Sequence, residues 1–270
     1  MKNGKLQTGI IGCGGIANQK HFPVLKKNSE LVELVAFCDI IRDRAADAAA
    51  KYGSPDAKVY ESYKELLADD AIDIVYILTP NVSHCQITLD AFAADKHVLC
   101  EKPMAATYED AQKMMEAYKK SEKKFTIGYQ NRFRNDVQDA YHACSAGALG
   151  DIYFAKAHAV RRRAVPTWGV FMDKKQQGGG PLIDIGTHAL DITLWLMNNY
   201  KPKSVTGSVF YKMGDKTAGN VFGKWNPNVF DVEDSAFGLI KMSNGATIYL
   251  EASWILNTTD AREAATTLCG

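Results

Sequence analysis

The stretch Lys5–Ala17, KLQTGIIGCGGIA, decides how the sequence is read. Lys5–Ile11 is strand-like. Gly12-Cys13-Gly14-Gly15-Ile16-Ala17 then fits the pattern G-x-G-x-x-A, directly after a strand and before a helix. The first glycine allows a tight turn, the second lets backbone approach a pyrophosphate, and the small third residue lets helix and strand pack closely. The helix start offers free N–H groups to the anion. Glycines after a strand often make nothing more than a turn, so the context decides. Asp39 closes the next strand, 22 residues after Ala17. A carboxylate there accepts hydrogen bonds from an adenine-ribose diol. The blander reading is a loop carboxylate capping the next helix. The carboxylate would repel a 2′-phosphate, so NAD is expected over NADP; Arg42 and Arg44 nearby keep NADP open.

Outward from this loop, strands and helices alternate. Leu31–Cys38, Asp73–Leu78, His97–Cys100 and Phe125–Gly128 are apolar runs of the kind buried on both faces. Val82, Cys85, Leu89 and Phe92 fall on one helical stripe, as do Ala111, Met114, Met115 and Tyr118. The first half is therefore expected to be a doubly wound parallel sheet. The second half reads as longer strands at Ile152–Arg161, Lys203–Tyr211, Asp231–Met242 and Ala246–Trp254. In the last, Ile248, Leu250, Ala252 and Trp254 alternate with Thr247, Tyr249, Glu251 and Ser253, so the two faces differ. Asn244-Gly245 signals a hairpin, because both residues tolerate positive φ. One apolar helix is expected over Leu182–Met197. The second domain is thus α+β with a largely antiparallel open sheet, and the small, polar stretch Ser145–Gly150 suggests the boundary.

At 270 residues the chain has room for about two domains. Lys plus Arg number 32 against 31 Asp plus Glu, a net charge of +1. Such a balance exerts no long-range pull on nucleic acid or an anionic membrane. No apolar stretch reaches the ~18 residues of a membrane span, and the first residues lack the features of a secretion signal. Cysteines 13, 38, 85, 100, 144 and 269 show no metal or redox spacing. Reduced thiols, a cytoplasmic location, no metal and a small-molecule partner are the expectations.

Two turns lie where ligands meet open α/β sheets, beyond the carboxyl ends of strands. Thr79-Pro80-Asn81 follows the third apolar strand and Glu101-Lys102-Pro103 the fourth. Taken singly, Asn81 reads as a helix cap and Lys102 as a solvated lysine. Together with Gly12–Ala17, with TPNVSH at Thr79–His84 and with GGGPLIDIGTH at Gly178–His188, they resemble the Gfo/Idh/MocA oxidoreductases. The resemblance runs in order through essentially the whole chain.

That resemblance implies a Rossmann domain over 1–130 and a substrate and oligomerisation domain over 131–270. It implies NAD(P)-dependent oxidation or reduction of a sugar, inositol or related polyol. Lys102, Asp184 and His188 match the family's catalytic lysine, aspartate and histidine. Thr79, Pro80, Asn81, His84, Glu101, Lys102 and Gln130 match positions near the nicotinamide half. Arg132 lies where the family chain enters the second domain. Gly12, Gly14, Gly15, Ile16, Ala17, Asp39, Ile40 and Arg44 complete the expected cofactor set. The chemistry is consistent: a secondary alcohol needs a base at its hydroxyl, and His188 suits that role because an unperturbed imidazole titrates near neutrality. Asp184 is four residues earlier, and on a helix both project from one face. Lys102 could stabilise a developing alkoxide. Without Lys102 and the nucleotide loop, Asp184 and His188 would read as a buried polar pair. Asp191 lies on the same helix face and either supports that pair or is purely structural.

Arg161-Arg162-Arg163 could bind an anion, although alternation would aim Arg161 and Arg163 to one side and Arg162 to the other. Arg163 and Trp168 are taken as candidate substrate contacts; Trp168 and Trp225 could stack on a sugar face or simply pack. Family members extend beyond this length, so the resemblance implies a chain lacking its final strands. An unfinished sheet would leave an open edge; the full protein is expected to be a homo-oligomer. Two alternatives share the fold: a glycosidase working through transient oxidation, and a non-catalytic NAD(P)-sensing regulator. A sensor has no need of Lys102, Asp184 and His188.

Overall fold

A computed structural model describes Lys2 and residues 4–270, and the chain divides into units 1–128 and 129–270. The division falls before the stretch Ser145–Gly150, which is instead the turn closing a helix of the second unit. Gly147 and Gly150 make that turn with φ of 79° and 62°. Composition pointed there because such turns use the same small residues as linkers.

The first unit contains β1 (Leu6–Ile11), α1 (Phe22–Lys27), β2 (Val32–Cys38), α2 (Arg42–Tyr52), β3 (Lys58–Tyr60) and α3 (Tyr63–Leu67). It continues through β4 (Ile74–Ile77), α4 (Asn81–Ala93), β5 (His97–Cys100), α5 (Tyr108–Lys120) and β6 (Phe125–Ile127). The strands form one parallel sheet in the order β3-β2-β1-β4-β5-β6. The order in which strands are added across the sheet reverses between β1 and β4, so a crevice opens at their carboxyl ends, where Gly12 and Thr79 sit. Apolar layers cover both faces: Ile10 packs with Phe22, Leu25 and Phe37, while Ile11, Val75 and Ile77 pack with Leu66, Phe92 and Met114. This explains the unbroken apolar runs in the sequence. Three-residue β3 lacks such a run, being partly exposed along its length, and the sequence reading passed over it.

The second unit contains α6 (Asn135–Ser145), β7 (Phe154–Val160), α7 (Lys174–Gln177), α8 (Thr187–Leu196), β8 (Pro202–Phe210), β9 (Ser235–Met242), β10 (Thr247–Ser253) and β11 (Ala265–Cys269). Its sheet runs β11-β7-β10-β9-β8, antiparallel except between β7 and β10. The expected hairpin forms at Asn244-Gly245, with φ of 94° at Gly245. The apolar helix expected over Leu182–Met197 is two pieces: a π turn at Leu182–Gly186 continues into α8. Ala155, Ala157 and Ala159 on β7 and Ala252 on β10 keep this part of the sheet low. A Cβ added at Gly186 would come within 3.1 Å of Ala252 Cβ, so small residues on both sides set how closely the π turn packs. Strand β8 is exposed along its whole length.

Candidate active site

The nucleotide loop is built from backbone. Gly12 has φ of 96°, and a Cβ there would lie 2.7 Å from the Leu78 carbonyl oxygen, so only glycine fits between the ends of β1 and β4. Gly14 differs: a Cβ there would meet nothing within 4 Å, and Gly15 meets only the end of Gln19 at 4.0 Å. That open ground before a helix start is what a pyrophosphate requires. Ile16 is 41% exposed, whereas Ala17 is fully buried and lets the following π turn, Ala17–His21, sit against the sheet. Asp39 bridges the loop to the end of β2: Cys13 N–H donates to its Oδ2 and Ile41 N–H to its Oδ1, both at 2.8 Å. Each carboxylate oxygen retains a second lone pair for a ribose hydroxyl. Ile40 beside it is 100% exposed, an apolar residue placed to cover a flat base; Arg44 is exposed on α2. The residues therefore fit a dinucleotide. Gly14→Ala is expected to leave the melting temperature unchanged but weaken NAD binding about tenfold or more by filling the phosphate ground. Calorimetric titration beside a thermal melt reads both.

The two strand-end turns are tied to each other. Asn81 is the first residue of α4 rather than its cap; Pro80 takes the cap position, and the Ser83 hydroxyl bonds to Thr79 Oγ1 at 2.7 Å and to the Pro80 carbonyl at 2.8 Å. His84 is fully buried, with ring nitrogens 2.9 Å from the carbonyl oxygens of Thr79 and Pro103. A neutral imidazole can donate to only one of them at a time. Burial drives its pKa down, partly countered by these carbonyls and by Glu101. His84 thus works as a strut between the turns. Glu101 is a second strut. Its Oε2 accepts the Lys102 N–H at 3.0 Å, and its Oε1 lies 2.7 Å from His21 Nε2. Burial acts to raise the Glu101 carboxyl, but the His21 hydrogen bond and the charges of His21 and Lys102 hold it below its ordinary value. Lys102 is half-buried at the end of β5. His21, on the π turn, carried no motif in the sequence.

In the second unit the π turn carries Asp184 and α8 carries His188, each 8% exposed. Trp254 Nε1–H donates to Asp184 Oδ2 at 3.0 Å. The Gly178–Gly180 loop is held by Glu233, whose carboxylate accepts Gly180 N–H at 2.8 Å and Leu182 N–H at 3.3 Å. Tyr129 meets the His188 ring edge-on, 6.1 Å between centroids, and its hydroxyl shares a 2.6 Å hydrogen bond with Thr187 Oγ1. Trp254, Glu233 and Tyr129 went unmarked in the sequence, because 70, 53 and 58 residues separate them from their partners.

Other expected residues have structural work. Arg132 grips Asp191 through two hydrogen bonds of 2.8 and 2.5 Å and lies over the Trp195 ring, so Asp191 serves the fold. Gln130 is exposed on a short 3₁₀ turn. Strand β7 ends at Val160, so alternation does not govern the three arginines. Arg161 pairs with Glu263, and Arg163, at φ of 51°, donates to the Ala218 carbonyl at 2.6 Å, pinning one loop to another. Trp225 is buried and donates to the Gly214 carbonyl at 2.7 Å, while Trp168 is 51% exposed against Phe222 and Phe171. The six cysteines are unpaired; burial first, then the Asp39 charge, pushes the Cys13 thiol up to about 12, which keeps it inert. Among the described residues no group of three or more His, Cys, Asp or Glu could hold a metal ion, and no helix is long and apolar enough to cross a membrane.

A parallel sheet in this order with a glycine loop at its switch point, followed by a second α/β unit bearing buried Asp184 and His188, defines a nicotinamide-dependent oxidoreductase. Residues 6–129 match the model of the oxidoreductase family with an NAD-binding Rossmann fold, and residues 137–269 match the GFO/IDH/MocA C-terminal domain. The chain belongs to the Gfo/Idh/MocA family. It is 38% identical over 270 residues to D-glucoside 3-dehydrogenase of Escherichia coli, covering 100% of this chain and 76% of that one. It is 31% identical to inositol 2-dehydrogenase of Salmonella typhimurium, covering 74% of this chain and 57% of that one. Among solved structures, the aldose-aldose oxidoreductase from Caulobacter crescentus, complexed with glycerol, superposes with a TM-score of 0.80 at 28% identity, covering 94% of this chain and 72% of that one. The WlbA dehydrogenase from Chromobacterium violaceum, with NADH and UDP-GlcNAcA, gives 0.82 at 26%, covering 100% and 73%.

Proposed function

We propose that the protein is an NAD-dependent dehydrogenase acting on a secondary hydroxyl of a sugar or glucoside. The observations that carry this reading are a lysine at the end of β5 in the first unit and, in the second, a buried Asp184 and His188 on one turn-and-helix element. When bound, the nicotinamide supplies the acceptor or donor of the hydride. This chain's residues handle the proton and the alignment. His188 takes the hydroxyl proton during oxidation and returns it during reduction. Lys102 stabilises negative charge on the oxygen, and the Glu101 and His84 struts hold its turn in place. Asp184 orients the substrate or the imidazole. Trp168, an exposed indole in the unit of Asp184 and His188, offers a face for a pyranose ring; Arg163 is committed to its loop and is left out of this set.

The name of the 38% identical relative supports a glucoside over an inositol. Asp39 supports NAD over NADP, the unpaired thiols support a reducing cytoplasm, and exposed β8 with Leu239, 43% exposed, supports assembly with further copies of the chain. A screen of glucosides, aldoses and inositols with NAD and NADP, followed by nicotinamide absorbance, tests the reading. A glucoside should be oxidised with NAD; no turnover on any of these compounds would refute it. Asp39→Ala is expected to weaken NAD about tenfold and to narrow its advantage over NADP, because the ribose diol loses its acceptor. Wild-type binding of NADP as tight as NAD would overturn the assignment of Asp39.

A further inference from the structure

We propose that Trp254 is a positioning residue for the reaction: its indole N–H fixes the orientation of the Asp184 carboxylate. This rests on the function proposed above. Trp254 is fully buried just beyond β10, and its Nε1–H donates to Asp184 Oδ2 at 3.0 Å. An indole has one donor and no acceptor, so this bond has one direction and favours the ionised carboxylate.

The indole cannot swing away. Its backbone N–H donates to the Asp234 carbonyl at 3.3 Å, and its carbonyl accepts the Ala164 N–H at 2.8 Å. Phe171 and Phe230 meet its ring edge-on, with centroids 6.5 and 6.4 Å away. Glu233, adjacent to Asp234, holds the Gly180 and Leu182 N–H groups at the start of the π turn. The turn that carries Asp184 and the carboxylate itself are therefore gripped from neighbouring points. Arg161, just past β7, senses the Asp184 charge; Glu233, before β9, holds the start of the turn that carries it, and His188 follows on α8. A leucine in place of Asp184 would leave the buried indole N–H without its acceptor, a need that a neutral amide oxygen could meet as well. A charged carboxylate held by one fixed donor suits a reaction that needs one oriented oxygen.

The first test needs no substrate. In protein labelled with ¹⁵N-tryptophan, the Trp254 indole resonance, assigned by its loss in Trp254→Phe, should shift with pH in a single step. The step should vanish in Asp184→Asn. The second test uses the sugar oxidised in the screen above. Trp254→Phe, and the protein carrying 3-benzothienylalanine at position 254, which keeps the shape and lacks the N–H, should lose about 10–100-fold in kcat/KM. The acidic limb of the pH profile should move up, and NAD affinity should stay unchanged. The isostere guards against a folding failure in Trp254→Phe. An indole resonance blind to pH, or an isostere with full kcat/KM and an unmoved profile, would overturn the proposal. If no sugar is oxidised, the functional reading fails while the titration still decides the contact.

Discussion

His188→Ala is expected to lower turnover by about 10²–10⁴-fold, the usual cost of losing an acid–base group. Lys102→Ala should fall in the same range, because charge developing on the substrate oxygen loses its counter-charge. The two variants should differ in nucleotide binding. His188 belongs to the second unit and serves the substrate, so NAD affinity should be unaffected by its removal. Lys102 lies at the carboxyl end of β5, and Lys102→Ala should weaken NAD measurably. Steady-state kinetics with a glucoside and direct NAD titration separate the effects. Turnover within threefold of wild type for His188→Ala would remove it from the mechanism.

Gly180→Ala should cost stability instead. A Cβ at Gly180 would lie 2.0 Å from the Glu233 carbonyl oxygen and 3.2 Å from Glu233 Cδ. The first neighbour is backbone, so no rotamer change relieves the clash, and the Glu233 carboxylate would lose its grip on the loop. A loss of about 3 kcal/mol or more is expected, at the upper end of overpacking effects. That corresponds to a drop of roughly 6–12 °C in the melting of the second unit. Near-wild-type melting would mean that the loop relaxes freely and that Glu233 is no brace. Gly14→Ala, with open space around its Cβ, is the matching control.

The first unit was legible because its signals are local. The apolar runs of β1, β2, β4 and β5 and the glycines between β1 and α1 lie within a few residues of what they build. Lys102, Asp184 and His188 were singled out through their motifs. What escaped depends on distant partners: Trp254 on Asp184, Glu233 on Gly180, His21 on Glu101 and Arg163 on Ala218. A buried tryptophan that donates a hydrogen bond looks, in sequence, like one that merely fills space. The i, i+4 spacing of Asp184 and His188 assumes a regular helix, whereas Asp184 lies on a π turn that continues into α8.

A π turn is an α-helix that has absorbed one extra residue without unwinding, and such turns recur at functional sites. The described residues include two, Ala17–His21 after the glycine loop and Leu182–Gly186 after the Gly178–Gly180 loop. This gives a rule for reading the wider family. A one-residue gap within Leu182–Gly186 in a relative would mark a rotated helix, with little loss of length. Each residue subtends about 100° of an α-helix. Such a relative could keep its counterparts of Asp184 and His188 and still point one of them elsewhere. Counting residues across these turns therefore becomes a way to sort relatives that retain this arrangement from those that have turned it to another use.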